Sequence, residues 1–281
     1  MPDQVRQIVS IYCLCDDFLR AWGHTDAPQA KMTVAQVMTV ALVAVTLFDG
    51  NHEKSRRFLS EQGYVRAVVS KGNFNRRLHQ VPEEAWLALF DLLARVHQQL
   101  NPSREYAVDS MPVPVCDNIR IRRCRLYRVR QTGGAFRGYC ASKRRYFYGL
   151  KVHLVITTGG LPVQVALTPG SVADVTAFQR LPPVLAEGSR IFADSGYLDD
   201  TEEALQAEAA GIELVAQRRR NSRRQLPPWV SYICQSERKR IETVFSQIAR
   251  TLGRGLHAVT PRGFELKVFL TVLAYTLTAT T

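Results

Sequence analysis

Two aspartates and a glutamate are the residues of this chain best placed to do chemistry. Asp109 and Asp194 each end a short apolar run and each precede a serine, in EYAVDS and RIFADSGY. A carboxylate at the end of a buried strand is costly unless a cation neutralises it. The segment SERKRIETVFSQIARTL carries an apolar stripe of Ile241, Val244, Phe245, Ile248 and Leu252, which predicts a helix lying on a sheet. Glu242 sits about 100° around that helix from Ile241, beside the stripe. Glu237, in line with the stripe and one turn earlier, is the alternative. Three carboxylates from separate elements are hard oxygen donors of the kind that hold Mg²⁺, with Mn²⁺ able to substitute. Two such ions about 4 Å apart activate the attacking oxygen and stabilise the leaving one in phosphodiester chemistry. The plainer alternatives are that Asp109 and Asp194 cap turns and that Glu242 only pairs with Arg238, one turn before it.

The elements that must position these groups follow from periodicity. Residues 1–102 read as helical: Thr33 can cap VAQVMTVALVAVTLF, DGN breaks the pattern, and HEKSRRFLSEQ follows. NFNRRLH predicts a short basic helix, and Pro82 with two glutamates opens PEEAWLALFDLLARVHQQL. From about residue 105 the period becomes strand-like. EYAVDS predicts a strand ending at Asp109. YFYGLKVHLVIT alternates, TGG turns the chain, and LPVQVALTPG returns as the second arm of a hairpin. ADVTAFQRL predicts a short helix, RIFA a strand, DDTEEALQAEAA a helix and IELVAQ another strand. A basic loop then leads to a helix over about 237–252, and an apolar helix follows Pro261. The expected fold is mixed α/β: a five-stranded mixed sheet flanked by helices over 103–281, preceded by the helical region.

Charge is concentrated. The net formal charge is +12 in 281 residues, which points to a polyanionic partner, nucleic acid first. No Asp or Glu occurs over 118–173, which holds Arg120, Arg122, Arg123, Arg125, Arg128, Arg130, Lys143, Arg144 and Arg145. A second acid-free stretch, 214–236, holds Arg218, Arg219 and Arg220 and leads to Arg238 and Lys239. Like charges in blocks repel, and arginine forks suit phosphate oxygens. Of the interleaved aromatics, Tyr146 and Tyr148 are expected in the core. The six cysteines form no CxxC pair, so reduced thiols are expected, with a zinc site at Cys116, Cys124 and Cys140 left open. The N-terminal segment lacks a signal-peptide plan, and no apolar run reaches the roughly 20 residues of a bilayer span. A cytoplasmic protein is expected.

Four blocks in order, YAVDSMPVPVC, YGLKVHLVITTGGLPVQVALTPGSVADV, IFADSGY and RKRIETVFSQI, resemble the bacterial insertion-sequence DDE transposases, most closely the insertion sequence 982 family. The resemblance implies a ribonuclease-H-like core and a metal-binding Asp-Asp-Glu triad at Asp109, Asp194 and Glu242. It implies an enzyme that binds terminal inverted repeats as double-stranded DNA. Such an enzyme cleaves at the ends and joins the 3′ hydroxyl to target DNA, acting as a homodimer or larger assembly. Residues 1–102 would help recognise the ends. The Tyr-Arg-Glu-Lys signature of related transposases, whose glutamate is Glu242, is partly met: Arg238 fits, while Gln235 and Ala249, with Arg250 next to it, stand at its Tyr and Lys positions. His153 and Asp174 fall in family-like blocks as auxiliary candidates, against a packed histidine and a helix cap. Two other readings stay open: a DNA-binding protein without catalysis, and a ribonuclease-H-like nuclease that only hydrolyses.

Overall fold

A computed structural model describes the chain except residues 1, 66–68, 117, 128–134, 141–143, 198–210, 219–220, 223, 253–255, 257 and 280–281. The described residues form eight α-helices and a six-stranded sheet. The helical region comprises α1 (Pro2–Ala21), α2 (Val34–Phe48), α3 (His52–Glu61), α4 (Lys71–Gln80) and α5 (Glu83–Gln99). Thr33 closes a capping box with Gln36 at the start of α2, as its spacing predicts. That helix is almost wholly buried, because α1, α3, α4 and the last helix of the chain all pack on it. No single described helix is long and apolar enough to cross a membrane.

The sheet contains β1 (Glu105–Cys116), β2 (Arg137–Cys140), β3 (Arg145–Thr157), β4 (Pro162–Pro169), β5 (Arg190–Ala193) and β6 (Glu213–Ala216). β1 pairs antiparallel with β3 and parallel with β5; β4 is antiparallel to β3 and β6 parallel to β5. The mixed five-stranded sheet is therefore present, in the order β4-β3-β1-β5-β6, and agrees with a ribonuclease-H-like core. The sixth strand is an addition. β2, four residues from the arginine-rich insertion, pairs with the first four residues of β3. The helix expected over DDTEEALQAEAA lies outside the described residues.

Three elements differ from expectation. β1 does not end at Asp109 but runs on to Cys116, through Pro112 and Pro114. β5 stops at Ala193, paired with Val108, so beyond that point β1 has a partner on one side only. Prolines, which lack the N–H, are tolerated on such an open edge. The long helix starts at Pro228, not near 237; α7 spans Pro228–Leu252, and its first-position proline is a start signal legible in the sequence. Tyr148 is buried as expected, but Tyr146 is half exposed, since β3 outruns β1 there. It packs instead against Tyr139, with the Arg137 guanidinium 4.5 Å above its ring.

Helices cover both faces. Ala107, Met111 and Val113 of β1 join Ile241, Val244, Phe245 and Ile248 of α7 in one core. That core continues without a break into the helical region and α8 (Pro261–Thr278). On the opposite face Tyr106 and Val108 pack with Phe178 of α6 (Asp174–Arg180) and with Tyr197. Where β1 kinks between Pro114 and Cys116, Gly149 of β3 lies against it. A Cβ at Gly149 would stand 2.2 Å from the Val113 carbonyl oxygen and 2.9 Å from Pro114 Cα, both backbone atoms. Gly149→Ala should lower stability by about 1–3 kcal/mol, read as a lower urea midpoint with an unchanged slope.

Candidate active site

The β1–β5 register builds the centre of the site. Val108 faces Ala193 in the parallel pair, so the next position sets Asp109 beside Asp194, on strands about 4.8 Å apart. Alternation places Asp109 on the same face as Ala107 and Met111, the face covered by α7. Its carboxylate accepts the Ser110 N–H at 2.7 Å, and that of Asp194 accepts the Gly196 N–H. Burial, joined by the charges of Asp194 and Asp174, pushes Asp109 up to about 7; the Ser110 N–H and Arg238 pull the other way.

Asp174 does not cap its helix. Ala173 is the N-cap residue, and no side chain caps α6. The Asp174 carboxylate turns to the sheet, accepting from Ser110 Oγ at 2.8 Å and Lys151 Nζ at 3.0 Å. Lys151 also donates to the Val172 carbonyl at 2.9 Å. His153 is buried, 2.8 Å from Thr168 Oγ1 and 3.9 Å from Asp174. Burial pushes its pKa down to about 4, so it is neutral near pH 7. Tyr197 joins the site without having been singled out by residue pattern. Its hydroxyl is buried with no hydrogen-bond partner among the described residues. Burial, and then the charges of Asp174, Asp109 and Asp194, hold its proton on. The only sequence signal for it is its place three residues after Asp194 in DSGY.

The structure does not draw Glu242 into this group. Its side chain is 55% exposed and meets Arg238 at 3.3 Å, one helical turn away. Arg238 in turn lies close enough to Asp109 to lower its pKa. Glu237 is buried, paired with Arg240 at 3.5 Å, and raised by burial and by the charge of Glu105. Glu105 begins β1, about 13 Å along the strand from Asp109, so Glu237 faces away from the aspartate pair. Among the described residues no three acidic, histidine or cysteine groups converge tightly enough to hold a metal ion; this covers Cys116, Cys124 and Cys140, none of which is in a disulfide. The donor chemistry nevertheless fits a hard divalent cation. Among the described ion pairs, neither Asp109 nor Asp194 has a basic partner within 4 Å, and two neighbouring carboxylates repel.

The predicted DNA-contacting basic residues differ in exposure. Arg120, Arg123, Arg125, Arg144, Arg145, Arg238 and Lys239 are exposed, and Arg218 is half-buried. Arg128, Arg130, Lys143, Arg219 and Arg220 lie outside the described residues, as does the side chain of Arg122. Tyr127 ties the insertion down. It stacks on Phe136 at 3.9 Å and donates to Glu265 of α8 at 2.6 Å.

Because the folded protein favours the protonated form of Asp109, its stability falls as pH rises from about 4 to about 7 and stays lower above that. Asp109→Asn removes the burdened charge. Without divalent ions the variant should match the parent below pH 4 and exceed it above pH 7, by at most about 4 kcal/mol. Thermal melts across that range in EDTA would show this.

A family model described as a transposase DDE domain matches residues 101–277. No curated protein and no solved structure matches the chain.

Proposed function

The chain belongs to the transposase DDE-domain family, and from that premise we propose that it moves an insertion sequence, most like those of the 982 family. It binds the terminal inverted repeats as double-stranded DNA, cleaves phosphodiester bonds at the ends and joins the 3′ hydroxyl to target DNA. It works in the bacterial cytoplasm on chromosomal or plasmid DNA, as a homodimer or larger assembly. The observation that carries this reading is the side-by-side placement of Asp109 and Asp194 by the Val108–Ala193 register.

Asp109, Asp194 and Glu242 would hold the metal. When bound, Mg²⁺ or Mn²⁺ supplies the Lewis acidity that phosphodiester cleavage and strand transfer require. The protein's own groups do the rest. The α7 core packing fixes the helix against β1 and Arg238 acts on Asp109 from it; Glu242, now turned to Arg238, would have to swing toward the aspartate pair to join the metal. Arg238 and Lys239 neutralise the DNA backbone beside the reacting phosphate. On the other face, Lys151 and Ser110, the residue after Asp109, hold Asp174 rigid. The exposed arginines of the insertion, anchored through Tyr127, hold flanking phosphates. Glu242 is favoured over Glu237 because Glu237 is buried toward Glu105.

Asp194→Asn keeps the shape and removes one charge. It should bind a terminal-repeat duplex within about threefold of the parent and lose cleavage by roughly 1,000-fold or more, as expected when a transition-state interaction is removed. Nicking assays with Mg²⁺ against EDTA read the cleavage, and labelled target DNA reads strand transfer. Undiminished Mg²⁺-dependent cleavage by the variant would refute the assignment.

A further inference from the structure

Away from the carboxylates, a groove of about 1,090 Å³ runs between the α2–α3 junction, α4 and the first half of α8, starting at the C-terminal end of α7. Thr251, at its near end, is nine residues beyond Glu242, about 14 Å along the α7 axis. The walls carry Lys71 on α4, Arg262 and Lys267 on α8, and the imidazoles of His52 and His79. Among the described residues two acids line it, Asp49 and Glu53. Glu53 is already held by Arg56 at 2.7 Å and Arg57 at 2.8 Å. The lysine and arginine charges on these walls therefore outnumber the acids facing them.

These basic groups lie close enough to act on one another. Burial and Lys71 lower the pKa of Lys267. Burial, Lys267 and His79 hold His52 down at about 4. Burial, Arg262 and Lys267 lower His79. Cations gathered in one groove repel, and an anion among them relieves that repulsion. The backbone adds to the effect. Lys71 and Gly72 open α4, and Arg262 opens α8, so the positive ends of two helices of 10 and 18 residues point toward this groove. Among the described residues, nothing lies within 4 Å of where a Cβ on Gly72 would stand.

We propose that this groove is a second phosphate-binding site, taking consecutive phosphates of a nucleic-acid backbone and beginning about 14 Å along α7 from Glu242. Its ligand is the phosphodiester chain, and its role is to hold DNA away from the reacting bond. Free phosphate shares the same oxygen chemistry and is the competing source. The proposal rests on reading the chain as a DNA-processing enzyme, yet binding alone tests it, apart from catalysis.

The test uses the full chain in EDTA with a 30-base-pair duplex of arbitrary sequence, titrated over a range of salt concentrations. Lys71→Gln with Arg262→Gln changes two exposed side chains. It should lower the slope of log affinity against log salt by about 2, one for each phosphate left without its cation. Lys71→Arg with Arg262→Lys keeps the charges and should keep the parent slope, which separates removal of charge from failure to fold. An unchanged slope in the Gln pair would overturn the site. Inorganic phosphate, titrated calorimetrically, should bind the parent only weakly. If it binds at micromolar levels and the Gln pair abolishes that, the groove serves free phosphate and the backbone assignment falls. Because no cleavage is read, loss of activity in Asp194→Asn and loss of slope here are independent outcomes.

Discussion

Everything near the candidate site depends on two like charges set on neighbouring parallel strands. Val108 opposite Ala193 is an ordinary apolar pair. One residue further, the same register brings two carboxylates together where one partner strand stops and the other continues. Apolar packing on both faces fixes that register, since a one-residue slip would turn Tyr106 and Val108 out of one core and Ala107 and Met111 out of the other. The fold thus supplies the free energy that holds the charges together, and a bound cation would return part of it.

The two faces of the sheet do different work at this point. On one, α7 covers Asp109 and keeps Arg238 close to it. On the other, Ser110, Lys151, His153 and Asp174 form a network of short contacts. Adjacent residues of one strand, Asp109 and Ser110, reach the two networks separately because side chains alternate. The raised pKa of Asp109 and the retained proton of Tyr197 come from burial first and from this crowding of carboxylates second.

Much of this is legible in residue patterns, for identifiable reasons. The hairpin of β3 and β4, the capped α2 and the strand before Asp194 follow from period, turns and caps, all of them local. Asp109 and Asp194 stand out because a charge at the end of an apolar run is rare. The full extent of β1 is hidden because Pro112 and Pro114 look like a stop, and only the three-dimensional absence of a partner on that edge makes them acceptable. β2 escapes notice because four residues including a glycine carry no period of their own. Asp174 reads as a cap because its sequence position suits one, whereas its partners, Ser110 and Lys151, are 64 and 23 residues away.

The last helix has a consequence for how the protein comes into being. From Val268 onward α8 is apolar around nearly its whole circumference because it forms a wall of the helical region, lying against α2 and α5. More than 160 residues of chain separate that wall from α5. A ribosome making this protein therefore exposes an amino-terminal bundle with one side open until α8 emerges. Contacts so distant in sequence slow folding, since the loop between them must close first. Competence thus waits on α8: a chain cut before Pro261 would lose the lining of its first hundred residues.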